Sequence, residues 1–300
     1  MDMNRVGFIG LGLMGKPMSK RILQAGHELT VFNRSKPPVE ELVSLGARAA
    51  QSPREVADKS EFVILMLPDS PDVEKVVLGE NGVCDGAGEG SIVIDMSTIS
   101  PFTEIKIAET LRQRGVYYLD APVSGSTPAA EAGTLTIMVG GPKEAFDRSL
   151  PILQCMGKNI HYMGNNGAGQ FTKLCNQIAV SLNLLGTCEA LLLASKAGLD
   201  PLKVIEVLGS GAGSSWQLVN LGPKIVAKDF TPGFKAEHLR KDLRILSEIS
   251  EQLGLPLFGT TVVHQLVKSL VESGMGKCGT QSLITILEQL SRHRLTASTQ

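Results

Sequence analysis

The segment Val6-Gly7-Phe8-Ile9-Gly10-Leu11-Gly12-Leu13-Met14-Gly15 limits what this chain can fold into more than any other. A short apolar run reads as a buried strand, three glycines follow with the spacing G-x-G-x-x-G, and a helix-like stretch from Lys16 to Ala25 closes at Gly26. Each glycine has its own task in such a turn. Gly10 permits the tight bend, Gly12 lets backbone approach a pyrophosphate, and Gly15 lets the helix pack on the strand. The free N–H groups at the helix start then face the phosphates. The whole loop, with Leu11, Leu13 and Met14, is therefore the candidate cradle of a dinucleotide.

The following residues keep the rhythm of a parallel sheet with crossover helices. Strands are expected at Arg5 to Ile9, Glu28 to Phe32, Phe62 to Leu67, Ser91 to Asp95 and Tyr117 to Asp120, and their near-continuous apolar character suits burial on both faces. Two later runs, Thr134 to Val139 and Ile160 to Met163, are expected to extend the same sheet around a helix beginning at Lys143. From Phe171 to Ala197 the apolar residues recur at helical spacing without a proline. A helix of about 28 residues spans ~42 Å, enough to leave one domain and run through a second. Helical periodicity continues at Pro201 to Leu208, His238 to Gln252, Thr260 to Ser273 and Thr280 to Arg292. The fold class is thus α/β, a Rossmann-type doubly wound sheet in residues 1–164, followed by an all-α domain in residues 165–295 entered by a long interdomain helix, with a loose tail after Leu295.

Composition narrows the function. Lys plus Arg total 29 against 30 Asp plus Glu, so no strong field draws the chain to nucleic acid or an anionic membrane. The five cysteines are scattered without a C-x-x-C pair, which argues against a disulfide framework and against a metal site and fits the reducing cytoplasm. The apolar start lacks a signal-peptide pattern, and no stretch approaches the ~20 apolar residues of a membrane span.

The end of the second strand normally carries an acid that holds the ribose hydroxyls of NAD. Here it reads Asn33-Arg34-Ser35. With no carboxylate there and a guanidinium suited to a 2′-phosphate, NADP(H) is favoured over NAD(H). Carboxyl ends of parallel strands line the ligand crevice, which brings in Leu67-Pro68 and Ser97-Thr98. Ser97, Thr98 or Ser100 also has the chemistry to cap the helix after Pro101.

The loop with Met14-Gly15-Lys16-Pro17-Met18, then Asp120-Ala121-Pro122-Val123-Ser124-Gly125, Gly167-x-Gly169-x-x-x-Lys173, and Asp229-Phe230-Thr231-Pro232-Gly233-Phe234 leading to Lys241-Asp242-Leu243, resembles the β-hydroxyacid dehydrogenase family. That family includes 3-hydroxyisobutyrate dehydrogenases and glyoxylate and succinic semialdehyde reductases. The resemblance implies an active site in a cleft between the two domains and a homodimer or homotetramer built through the helical one. It implies that Leu67 and Pro68 pass beside the adenosine, that Thr98 lies near the nicotinamide, and that Lys241 reaches the cofactor from the second domain.

Hydride transfer at a carbinol carbon requires a proton to be moved to or from the oxygen. The resemblance makes Lys173 that acid or base. Asn176 and Gln177 share its helical face, and the choice of helper between them is open; Gln177 departs from the family's usual asparagine. The turn Ser124-Gly125-Ser126 offers a hydroxyl and backbone N–H groups to a substrate carboxylate, and Ser126 stands where the family commonly has glycine. Phe234 and Asp242 match active-site positions of the semialdehyde-reductase branch. The expected partner is a small aldehyde acid, with glyoxylate and succinic semialdehyde ahead of methylmalonate or tartronate semialdehyde. Alternatives are an NAD-dependent 3-hydroxyisobutyrate or tartronate semialdehyde type dehydrogenase, and a non-catalytic dinucleotide-binding scaffold; Lys173 argues against an imine reductase, and Asn176 against 6-phosphogluconate dehydrogenase, which has histidine there.

Overall fold

A computed structural model describes residues 3–296, so the end of the expected tail lies outside the described residues. The chain divides between Lys173 and Leu174 into two compact units. Among the described residues, unit 1 contains nine strands: β1 (Arg5–Ile9), β2 (Glu28–Phe32), β3 (Arg48–Ala49), β4 (Phe62–Leu65), β5 (Ile92–Asp95), β6 (Tyr117–Asp120), β7 (Val123–Ser124), β8 (Leu135–Gly140) and β9 (Gly157–Gly164). Their order is β3-β2-β1-β4-β5-β6-β8-β7, with β9 joined to β8. The run from β3 to β6 is parallel, the order of a dinucleotide-binding sheet, with the direction of winding reversing at β1 and β4. β8 then pairs antiparallel with β6 and β7 and parallel with β9.

The alternation of strand side chains builds two cores. Phe62, Ile64, Ile92 and Ile94 join Phe8 and Val31 on one face. Val63, Leu65 and Val93 join Ile9 and Tyr118 on the other. Every residue of β4 and β5 is buried, so both faces are covered, as the apolar runs predict.

Within unit 2 the named elements are helical, apart from an isolated bridge between Lys235 and Gly279. Ala236–Leu253 buries Leu239, Leu243, Leu246 and Ile249 and packs against Phe258–Leu270, which buries Val263, Val267 and Leu270. The helix expected through Ser273 ends at Leu270 and passes into a wide turn, Val271–Met275, broken where Gly274 takes φ +87°. The last expected helix opens with a tight 3-10 turn, Thr280–Leu283, before Ile284–Ser291.

The long helix is Ala168–Lys196, 29 residues, and begins earlier than the apolar period suggests. Gly167 and Gly169 form its entry. A Cβ on Gly169 would lie 2.4 Å from the Met138 carbonyl and 2.6 Å from that of Asp120, so glycine is needed there for packing. This helix also corrects the expectation that no stretch is long and apolar enough to cross a membrane; by length and composition it is. It nevertheless buries the polar side chains of Gln170, Lys173, Gln177, Ser181 and Thr187 against protein, the behaviour of a helix built into a fold.

Candidate active site

The glycine loop leaves β1 with Gly10 at φ +96°, and its N–H donates to the Phe32 carbonyl of β2 (3.1 Å). A Cβ on Gly10 would lie 2.3 Å from the Met66 carbonyl, and one on Gly15 would lie 1.8 Å from the Gly10 carbonyl. Strand, turn and helix therefore interlock at these two positions. At Gly12 an added Cβ meets nothing within 4 Å, so this glycine answers to no packing inside the protein. The helix Gly15–Gln24 begins without a side-chain cap and without an acid in its first turn, so no side chain or negative charge of that turn competes with a phosphate at its start. The loop fits the phosphates of a dinucleotide by these observations.

Asn33, at the end of β2, has a task that the sequence did not disclose. Its Oδ1 accepts the Leu11 N–H (3.0 Å), and its Nδ2 donates to the carbonyl and hydroxyl oxygens of Ser35 (3.1 and 2.8 Å). One amide thus couples the glycine loop to the β2 turn. The Arg34 side chain is 84% exposed and its Nη1 lies 3.8 Å from Asp72 Oδ1. On the other side of β1, the Leu67 N–H donates to Ser97 Oγ (2.8 Å), tying the ends of β4 and β5 together, while Pro68 is exposed and Thr98 half-buried. Ser100 occupies the cap position of the helix Pro101–Arg112 without a side-chain cap bond, so Thr98 is not that helix's cap.

Ser124 lies on β7 opposite Thr136. Gly125 follows at φ +139°, where a Cβ would come within 2.6 Å of the Ala129 methyl. Ser126 is itself at φ +62°, the region that favours the glycine common in the family. The next hydroxyl, Thr127 Oγ1, is buried and has no hydrogen-bond partner among the described residues.

Beneath the start of the long helix lies a polar cluster that sequence reasoning missed. Asp95, Glu104, Tyr118, Asp120 and Gln170 are all buried. Asp120 accepts N–H groups from Gly167 at Oδ1 (2.8 Å) and Gln170 at Oδ2 (3.0 Å). Glu104 accepts from the Tyr118 hydroxyl (2.5 Å) and from Gln170 Nε2 (2.6 Å). Burial pushes the Asp120 carboxyl up to about 7 in spite of its backbone donors. Burial, with Asp95 and Asp120 alongside, holds the Glu104 carboxyl well above the ordinary carboxylate range. One signal was available: Glu104 falls on the buried stripe of its helix with Pro101, Ile107, Ala108 and Leu111, a place where a charged residue needs a reason. Lys173, the last residue of unit 1, is only 7% exposed on the same long helix.

In unit 2 the candidate residues form a chain of their own. Asn176 Nδ2 donates to Gln177 Oε1 (2.8 Å), Gln177 Nε2 donates to Asp242 Oδ2 (2.6 Å), and Lys241 Nζ lies 2.8 Å from Asp242 Oδ1. Gln177 is therefore committed at both ends of its amide. Phe234 is half-buried, its ring 6.1 Å from that of His238, whose imidazole is shifted below its ordinary range by burial and by the nearby Lys235. Trp216, which the sequence left between core and pocket wall, is 56% exposed and is not a core residue.

A doubly wound sheet with an open glycine loop, followed by a helical unit, defines a dinucleotide-binding oxidoreductase with an appended all-α domain. Residues 5–164 match the NAD-binding domain of 6-phosphogluconate dehydrogenase, and residues 167–287 match the NAD-binding region of NADP-dependent 3-hydroxyisobutyrate dehydrogenase. The chain is 40% identical to 2-hydroxy-3-oxopropionate reductase of Escherichia coli over 97% of its own length and 99% of the relative's. It is 39% identical to an NAD-dependent L-serine dehydrogenase of Pseudomonas aeruginosa, over 83% of this chain and 86% of that one. Among solved structures, Mycobacterium tuberculosis 3-hydroxyisobutyrate dehydrogenase with L-serine superposes with a TM-score of 0.89 at 28% identity, covering 95% of this chain and 99% of the other. The chain belongs to the 3-hydroxyisobutyrate dehydrogenase family of β-hydroxyacid dehydrogenases.

Proposed function

We propose that the protein is an NADP(H)-dependent reductase of a small aldehyde acid, with Lys173 as the proton donor. The observation that carries this reading is Lys173 itself: a lysine 7% exposed, on a helix whose first turn is held by a buried carboxylate, is not an ordinary solvated side chain. The bound nicotinamide supplies the hydride. In reduction the Lys173 ammonium gives a proton to the forming alkoxide and stabilises its charge; in oxidation the neutral amine takes that proton back. Ser124 and the N–H groups of Gly125 and Ser126 clamp the substrate carboxylate, with the unpaired Thr127 hydroxyl as a further donor. Gln177 is spent on Asp242, so Asn176 is the amide with an atom to offer the substrate or Lys173.

Arg34 supports NADP(H), since no carboxylate of β2 or its turn competes for the ribose and the guanidinium is exposed where it can pair with a 2′-phosphate. A second reading, NAD(H), is favoured by Asp72, a carboxylate 3.8 Å from Arg34 that opposes a phosphate there. The exposed apolar side chains of Leu193 and Phe258 favour a homo-oligomer.

Turnover of 2-hydroxy-3-oxopropionate, glyoxylate and succinic semialdehyde with NADPH and NADH tests the reading. NADPH preference is expected to be lost in Arg34→Asp, and Lys173→Ala should lower kcat by about a hundredfold to ten-thousandfold with cofactor affinity nearly intact. Retained turnover in Lys173→Ala removes that residue from the mechanism.

A further inference from the structure

The buried cluster at the ends of β5 and β6 touches both candidate catalytic segments of unit 1. The Asp120 carboxylate takes the N–H groups of Gly167 and Gln170, and Lys173 follows Gln170 by three residues on the same helix. Two glycines make room for that carboxylate: a Cβ on Gly140 would lie 2.6 Å from Asp120 Oδ1, and one on Gly169 would lie 2.9 Å from Oδ2. The Gln170 side chain reaches the other segment. Its Nε2 donates to the Ser97 carbonyl (2.8 Å) and its Oε1 accepts the Ile99 N–H (3.3 Å), so it brackets Thr98. The same Nε2 is held by Glu104, and Asp95 Oδ1 accepts the Ser97 N–H (2.9 Å).

We propose that Asp120 is a positioning residue for the reaction, a carboxyl latch that sets the first turn of the Lys173 helix, and that Glu104 is its companion, fixing Gln170 and through it the Thr98 turn. This rests on the reading of Lys173 as the proton donor. Both Asp120 oxygens accept backbone N–H groups, so the turn opens only when those bonds break and the carboxyl meets water. A neutral Glu104 keeps an oxygen for Gln170 and offers its own hydrogen to the Tyr118 oxygen, whose hydrogen then turns to Asp95 Oδ2 (3.5 Å). The titratable groups facing Asp120 come from three elements: Asp95 on β5, Glu104 on the helix Pro101–Arg112, and Tyr118 on its own strand. Burial raises the Asp120 carboxyl to about 7, so a closed turn holds its proton more tightly than an open one that hydrates the carboxyl, and the latch loosens as pH rises through about 7.

Hydrogen exchange of the full chain, followed by mass spectrometry over residues 165–173 and corrected for the intrinsic pH dependence, tests the latch without a substrate. Protection should be highest at pH 6 and fall by about tenfold by pH 8 in the wild type, and show no such change between the two pH values in Asp120→Asn. In Asp120→Asn, kcat with NADPH should be lowered while KM for NADPH stays within about twofold. Glu104→Ala admits water beside Asp120 and should move the exchange midpoint to lower pH, which decides the matter even where Asp120→Asn does not fold. Wild-type exchange that is flat from pH 6 to pH 8, or a midpoint unmoved in Glu104→Ala, overturns the proposal. Full turnover in Lys173→Ala with the exchange profile intact overturns the reading of Lys173 and leaves the latch standing.

Discussion

Replacing Asp120 with asparagine should reverse its effect on stability between acid and alkaline pH. In the fold the carboxyl titrates at about 7 against an ordinary 3.8, a difference of about three pH units, or about 4 kcal/mol at 1.4 kcal/mol per unit. Because the folded value is raised, this stability is fully present below pH 3.8 and is lost as pH rises through about 7. Asparagine does not ionise, so it removes that loss. It also turns an NH2 group toward the N–H of Gly167 or Gln170, which costs about 1–3 kcal/mol at every pH. The variant should therefore be about 1–3 kcal/mol less stable than the wild type at pH 4 and more stable by a similar amount at pH 8. Urea unfolding followed by circular dichroism at both pH values measures the difference, and titrations elsewhere in the chain cancel between the two proteins. A difference that stays constant from pH 4 to pH 8 refutes the buried-carboxylate reasoning.

Glu104→Gln should be nearly neutral below about pH 4.5, since glutamine presents the same oxygen to Gln170 and a hydrogen to Tyr118, and should gain about 1.4 kcal/mol over the wild type for each pH unit from there up to the raised Glu104 midpoint. Loss of stability at pH 6 in urea unfolding contradicts a neutral Glu104. Ser126→Gly relieves the left-handed conformation at φ +62° and should raise stability by about 1 kcal/mol, seen as a higher urea midpoint with an unchanged slope.

The strands of the parallel sheet were legible because each is a separate apolar run. The bounds of β1, β2 and β6 coincide with the expectation, and β4 only ends two residues earlier, at Leu65. β3 and β7 were not legible, having two residues each and no period to read. β9 runs from Gly157 to Gly164 where only Ile160 to Met163 was expected, because it pairs on one side alone and most of its side chains face solvent. In the site, the motif pointed to Lys173, Ser124 and the glycine loop, residues that announce themselves by spacing. Asn33 as a tie between two turns, and Asp120 with Glu104 and Gln170 as a buried cluster, depend on partners 22 to 66 positions away. No local pattern carries such pairings.

The three glycines of the loop divide the ways in which this protein can be lost. Gly10 and Gly15 sit where a methyl group would strike a carbonyl oxygen, so any side chain there strains the junction of strand and helix. Such variants would lower the standing amount of protein in a cell through chaperones and proteases. Gly12 faces open space, and a side chain there leaves the polypeptide whole. A cell carrying that variant would hold a full complement of intact, empty molecules. A survey that scores only abundance would pass Gly12 as tolerant, and one that scores only growth would group all three, so the two surveys must be read together to separate the residue that serves the ligand from those that serve the chain.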